Sequence, residues 1–444
     1  VKAVFVNISD GVLCLYRGLC FLAWPVYPLI LWWRLYRGAE EKTYWRQKMG
    51  VCLPARPRGG VIWMHGVSVG ESMALEGVMR ALLAYGEETI VLTTSTASSA
   101  RLWRKKIEAC DTLRGRVIHT LCPLDHPLFW RHFLNHWRPR CFLLSEHDFW
   151  PHLFWALHNR RIMCAVLGAR MSAKSARFWL FVKPLFTSIW RDLVCCVPSD
   201  TQASLFKALG ARHVHVLGSL KWTKLDPALV QAHNRYPSTP GKTSPMLSKP
   251  PFVISAVSTH VGEEKAWLDL YPALKKRYPH LVLILAPRHT KRVSEVCDEV
   301  IARGVKVERW QSSAALKDVD GVVVIDKMGL LRNVYAHSHI VFVGGSLFPG
   351  VGGHDLIDPA AYGCCVLCGP FMEAQADVFA LFQQKKAVGV VQASTMGEQV
   401  SGYLDEQKTC ELMGKRAQAL VQERYHTVLE GYMTLLTQQG VVHA

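Results

Sequence analysis

From residue 60 onward, short runs of β-branched and aliphatic residues alternate with helix-length amphipathic stretches, and few folds accept that alternation. The first set of runs falls at 61–65, 89–94, 116–121, 141–146, 163–169, 193–197 and 213–217. Runs this apolar read as parallel strands joined by crossover helices, in a sheet covered on both faces. A sheet of that kind puts its chemistry at the carboxyl ends of the strands. A second set follows at 252–257, 281–286, 305–308, 321–325, 340–343, 365–368 and 387–391, with helices from about 396 to 438. Between the sets, residues 222–251 carry Pro227, Pro237, Pro240, Pro245, Pro250 and Pro251 among Ser, Thr, Lys and Gly, the texture of a linker. A chain of 444 residues suits two cores, because single cores stop growing near about 250–300 residues. The expected division is an N-terminal segment 1–45, a Rossmann-like domain 46–222, a linker 223–251 and a second Rossmann-like domain 252–444 that ends in helices.

The N-terminal segment is the greasiest part of the chain. Leu19 to Trp33 reads LCFLAWPVYPLILWW, 15 uncharged residues flanked by Arg17, Arg34, Arg37 and Lys42. As a helix the run would extend about 22 Å, short of a hydrocarbon core of about 30 Å, and Pro25 and Pro28 interrupt it. Tryptophan and arginine at its edges suit a segment lying at the headgroup boundary, so a monotopic membrane anchor is expected. Helices packed on the body of the protein are the alternative, and a true span would require burying Arg17.

The chain carries 52 Lys+Arg against 35 Asp+Glu, a net charge of +17 that favours anionic partners. Its basic residues are scattered, with no zinc-finger spacing and no aromatic RNA-binding motif, which argues against nucleic acid. The 14 cysteines lie mostly in apolar runs, and Cys365-x-x-Cys368 has no matching second pair, so they read as core side chains in a reducing compartment. There is no Walker motif, no G-x-G-x-x-G with a following acid and no H-E-x-x-H, and no metal site is expected.

Two features carry candidate chemistry. The run His65-Gly66-Val67-Ser68-Val69-Gly70-Glu71 follows the first strand, with Ser68 fit to cap the next helix. Glu71 reads either as a first-turn acid facing the helix dipole or as a general base. The run Gly344-Gly345-Ser346 through Gly350, Gly352, Gly353 and His354 lies between a strand and a helix, so its backbone amides could face a phosphate.

These two runs, with Ser145-Glu146-His147-Asp148-Phe149-Trp150-Pro151, Gly218-Ser219-Leu220-Lys221, Ser258-Thr259-His260-x-Gly262-Glu263-Glu264, Pro287-Arg288-His289 and Asp326-x-Met328-Gly329, resemble the Kdo (3-deoxy-D-manno-octulosonic acid) transferases of lipopolysaccharide and lipid A synthesis. The match runs in order from the N-terminal segment to about residue 370. The resemblance implies a GT-B glycosyltransferase, α/β in class, with two Rossmann-like domains, an interdomain cleft and an N-terminal membrane-anchor segment. It implies an acceptor-binding first domain and a CMP-Kdo-binding second one. Glu71 matches the family's general base, and Glu146 and Lys221 match its transition-state stabilising residues. Contacts to CMP are implied for Pro287, Arg288, Met328, Gly329, Leu330, Asp355, Leu356, Ile357 and Asp358.

The implied reaction is inverting transfer of Kdo from CMP-Kdo to lipid IVA, without metal or other cofactor, at the cytoplasmic face of a bacterial inner membrane. The partners are then CMP-Kdo, lipid IVA and the anionic membrane surface. One carboxylate takes the proton of the acceptor hydroxyl, and cations such as Lys221 and Arg288 neutralise the departing phosphate. The chain departs from the family pattern at Glu146-His147-Asp148 (usually Glu-Thr-Glu), at Leu330 (Glu) and at Asp355 and Asp358 (Asn and Glu). Leu330 can offer only its backbone, and Asp358 is one methylene shorter than Glu. The competing readings are another GT-B envelope enzyme using a different nucleotide sugar, a non-catalytic lipid-binding protein of the membrane surface and, least of all, a DNA-binding protein.

Overall fold

The computed structural model describes residues 18, 26–37, 41–146, 149–225, 252–310 and 320–442. Most of the expected linker, from residue 226, lies outside them, as do His147 and Asp148 and most of the residues before 26. The contacts divide the chain into two compact units. One holds the described residues up to Lys224 together with those from His426 on, and the other runs from Leu225 to Tyr425.

The first unit is built on strands β1 (Val61–His65), β2 (Thr89–Thr94), β3 (Val117–Leu121), β4 (Cys141–Ser145), β5 (Met163–Leu167), β6 (Val194–Val197) and β7 (His213–Val216). They form one parallel sheet in the order β3-β2-β1-β4-β5-β6-β7. β1, β2, β4 and β6 are buried at every position, as strands covered on both faces must be, whereas the edge strand β7 is exposed at both ends. Trp63 of β1 anchors the core on one face, with its ring 4.1 Å from Phe142 and 4.8 Å from Phe133. Its buried indole N–H donates to Thr93 Oγ1 at 2.8 Å, which satisfies the one polar atom of a fully buried tryptophan.

The second unit repeats the plan with β8 (Phe252–Thr259), β9 (Leu281–Pro287), β10 (Val307–Trp310), β11 (Val322–Ile325), β12 (Ile340–Val343), β13 (Cys365–Cys368) and β14 (Gly389–Val390). Its parallel order is β10-β11-β9-β8-β12-β13-β14. Trp267 and Phe342 meet at 5.5 Å in its core. Cys365 and Cys368 are fully buried in β13, as core side chains. In both units the chain reverses its direction of travel across the sheet beside the first strand, between β1 and β4 and between β8 and β12. Such a reversal leaves the two flanking loops parted at the carboxyl edge, where ligands of open α/β sheets bind.

The last helix, Gln407–Gln438, begins in the second unit, and from His426 its residues belong to the first. There Tyr432 is fully buried, with its hydroxyl 3.4 Å from the Gly218 carbonyl.

The membrane-anchor segment expected at the N-terminus is overturned. No described helix is long and apolar enough to cross a membrane. Of the apolar run, the structure describes the helix Val26–Tyr36, whose 11 residues extend only about 16 Å. It buries Leu31 and sets Tyr27 edge-on to His126 (5.6 Å) and Phe129 (5.9 Å) of the first unit. Its described part packs on the body, the alternative weighed for this segment, through Leu31 and Tyr27, while Leu29, Ile30, Trp32, Trp33 and Tyr36 stay exposed.

Candidate active site

In the first unit the loop after β1 turns into the helix Val69–Ala74, with Ser68 as its cap. The Glu71 N–H donates to Ser68 Oγ at 3.3 Å. In return the Glu71 carboxylate accepts from the Val67 N–H at 2.9 Å and from the Ser68 hydroxyl at 3.2 Å. The two readings of Glu71 are therefore compatible. An ionised carboxylate accepts about four hydrogen bonds, so a capping carboxylate keeps lone pairs for a further proton. Burial pushes the Glu71 pKa up; the Val67 N–H opposes this, and the charge of Glu146 adds to the rise.

Glu146 stands just past β4, the strand across the reversal from β1. Its φ of 65° is uncommon for a residue with a side chain, and such conformations concentrate at functional sites. The sheet thus sets two carboxylates that lie 75 positions apart in the sequence, by 146 − 71, beyond the ends of neighbouring strands, where the charge of one bears on the other.

Lys221 lies in the short turn Leu220–Lys224, beyond β7, and is half-buried. That turn packs on the helix of Glu71. Thr223 donates to the carbonyl of Ala74 at 3.0 Å, and Gly77 lets its backbone approach. All three expected catalytic residues therefore come from one unit.

In the second unit the expected nucleotide residues collect at the carboxyl ends of adjacent strands. Pro287 ends β9 and is buried, and Arg288 after it is exposed, its N–H donating to the Thr259 carbonyl at 3.0 Å. Met328 and Gly329 are exposed after β11, with Leu330 half-buried behind them. Asp355 and Asp358 are half-buried, whereas Leu356 and Ile357 are wholly buried, backbone included, and neither faces a ligand directly.

Three imidazoles that carried no separate role in the sequence reading converge beside Arg288. His260 and His354 stack 5.1 Å apart with Nε2 atoms 2.9 Å from each other, and His289 meets His260 edge-on at 5.9 Å. One Nε2 must donate and the other accept, so the pair shares one proton. Burial, then repulsion from His260 and Arg288, pulls the His354 pKa down to about 4; burial likewise lowers that of His260.

The glycine-rich loop corrects an expectation. The amides of Gly345, Ser346 and Leu347 do not face outward for a phosphate; they donate to the buried carboxylate of Glu263 at 2.8, 3.1 and 2.9 Å. Glu263 also accepts from the His260 N–H at 2.9 Å. No local pattern announces this contact, because Glu263 and the loop are more than 80 residues apart.

Two doubly wound parallel sheets, with two acids at the reversal of one and an arginine and imidazole cluster at the reversal of the other, are consistent with the GT-B glycosyltransferases. A glycosyltransferase from Rickettsia africae shares this fold, with a TM-score of 0.55 at 11% identity over 86% of this chain and 99% of that one. Residues 43–224 match the family described as 3-deoxy-D-manno-octulosonic-acid transferase (kdotransferase). A protein of Arabidopsis thaliana described as "Probable 3-deoxy-D-manno-octulosonic acid transferase, mitochondrial" is 30% identical over 86% of this chain and 85% of its own length. The 3-deoxy-D-manno-octulosonic acid transferase of Bordetella pertussis is 31% identical, over 82% and 84%. The chain belongs to this family: it is a glycosyltransferase, a Kdo transferase.

Proposed function

We propose that the enzyme transfers Kdo from CMP-Kdo to lipid IVA with inversion at the anomeric carbon. Glu71 takes the proton of the acceptor hydroxyl as its oxygen bonds to that carbon. The bond from sugar to phosphate breaks, and its electron pair leaves on the CMP phosphate. The observation that carries this reading is the placement of Glu71 and Glu146 just past the carboxyl ends of the adjacent strands β1 and β4, at the reversal of the first sheet. A raised pKa makes Glu71 a stronger base.

Glu146 opposes the positive charge that grows on the sugar ring, and Lys221 opposes the negative charge that grows on the phosphate. CMP is held in the second unit by Arg288, by the backbone around Met328, Gly329 and Leu330, and by the segment of Asp355 and Asp358. Asp358 takes the ribose hydroxyls. Bisphosphorylated lipid and acidic headgroups attract a protein of charge +17, which supports action at the cytoplasmic face of a bacterial inner membrane.

The test is mass spectrometry of lipid IVA incubated in detergent with CMP-Kdo, without added divalent metal, and with either wild type or Glu71→Gln. Wild type should add the mass of Kdo and the variant should not. Equal activity of the two proteins, or transfer from UDP-sugars in place of CMP-Kdo, overturns the proposal.

A further inference from the structure

At the reversal of the second sheet the chain leaves β8 and β12 side by side, and each strand feeds a loop that needs its backbone donors satisfied. One buried side chain satisfies both. Glu263, in the first turn of the helix Glu263–Arg277, is 1% exposed and accepts one N–H from the β8 loop (His260) and three from the β12 loop (Gly345, Ser346 and Leu347). Four N–H donors on one carboxylate saturate its lone pairs. The glycines make the approach possible: a Cβ at Gly344 would lie 2.7 Å from Glu263 Oε2.

The far end of the β12 loop returns to the same place. The N–H groups of Gly353 and His354 donate to the carbonyls of Gly345 and Gly344 at 2.7 and 3.2 Å. His354 is thereby set against His260, whose own backbone N–H is held by Glu263. The carboxylate thus fixes both backbones that carry the imidazole pair, within the unit that also carries Arg288 beside them.

We propose that Glu263 is a positioning residue for the donor: an internal anion that holds the glycine loop's amides, and so aims the His260–His354 pair at the phosphate and acidic sugar of CMP-Kdo. The inference rests on the donor reading above. It reassigns the glycine loop from phosphate cradle to scaffold, and leaves the donor's negative charge to Arg288, with the imidazoles as hydrogen-bonding partners.

The experiment compares wild type, Glu263→Gln and Arg292→Ala in initial-rate kinetics with CMP-Kdo varied at saturating lipid acceptor, alongside CMP binding and urea unfolding. A glutamine at 263 has nearly the same shape, but its NH2 group cannot accept from the loop amides. Expected is a rise of about ten-fold or more in the KM for CMP-Kdo, with a matching loss of CMP affinity and a much smaller change in kcat.

Arg292→Ala breaks a different buried pair, with Glu264, and serves as the control for lost stability. It should unfold at lower urea with the donor KM unchanged. If Glu263→Gln lowers only the unfolding midpoint and leaves the donor KM and CMP affinity at wild-type values, the proposal is overturned. The same holds if Arg292→Ala raises the donor KM as much as Glu263→Gln does. Wild type that neither binds CMP nor transfers Kdo overturns the donor reading itself, a separate outcome from either.

Discussion

The turn that carries Lys221 is held against the helix Glu76–Tyr85 by a glycine, and replacing that glycine sets two effects of known size against each other. A Cβ at Gly77 would lie 2.2 Å from the Thr223 carbonyl oxygen and 2.9 Å from Thr223 Cβ. Reaching ordinary contact means moving backbone by about 1 Å, since apolar heavy atoms rest near 3.5 Å or more. The turn cannot yield freely, because Thr223 is fully buried and its hydroxyl bonds the carbonyls of Ala74 and Leu220 at 3.0 and 2.9 Å.

Overpacking of this kind costs about 1–3 kcal/mol, whereas alanine in place of glycine in a helix gains at most about 1 kcal/mol. Gly77→Ala should therefore lose roughly 0–3 kcal/mol in urea unfolding. The larger effect falls on the rate: shifting Lys221 by about 1 Å relative to the helix of Glu71 should lower kcat about 100-fold. Gly402→Ala is the matched control. That glycine sits in the helix Met396–Asp405 with nothing within 4 Å of its Cβ position, so the variant should be as stable as wild type or slightly more so, at full turnover. A Gly77→Ala enzyme as stable and as fast as wild type would refute the argument that this contact sets the position of Lys221.

Activity should fall as pH drops through the Glu71 pKa, on a limb above the usual carboxylate range, because only the ionised form takes a proton. In the residual activity of Glu146→Gln that limb should move to lower pH, though only in part, since burial is the larger cause of the rise. Ser68→Ala removes the cap of the Glu71 helix and should cost about 1 kcal/mol in urea unfolding. Arg292→Ala strands the Glu264 carboxylate, 2% exposed and held at 2.9 Å, and should cost about 3–5 kcal/mol in the same assay.

The strands were legible because parallel sheets are buried on both faces, so β9 and β12 show as unbroken apolar runs and β1 and β4 as apolar runs closed by one polar residue. Their spatial order was less so: β11 inserts between β10 and β9, a pairing that no local pattern in the sequence encodes. Glu71 could be picked out because its cap is local, three residues from Ser68. The clamp by Glu263 could not, because its partners come from another loop and a buried acid looks in sequence like any first-turn glutamate. The N-terminal run misled because apolar content does not say what covers each residue: Leu31 and Tyr27 pack on the first unit, whereas Leu29, Ile30, Trp32 and Trp33 stay exposed.

The membership of the final residues in the first unit bears on how the molecule is made. Tyr432 and Leu436 are fully buried, and Val441 nearly so, in a unit whose sheet is complete by Val216. A nascent chain therefore emerges with all seven strands of that sheet long before the side chains that finish its core. During that interval an apolar surface near Gly218 stands open to chaperones or to aggregation, until the segment from His426 on has been translated.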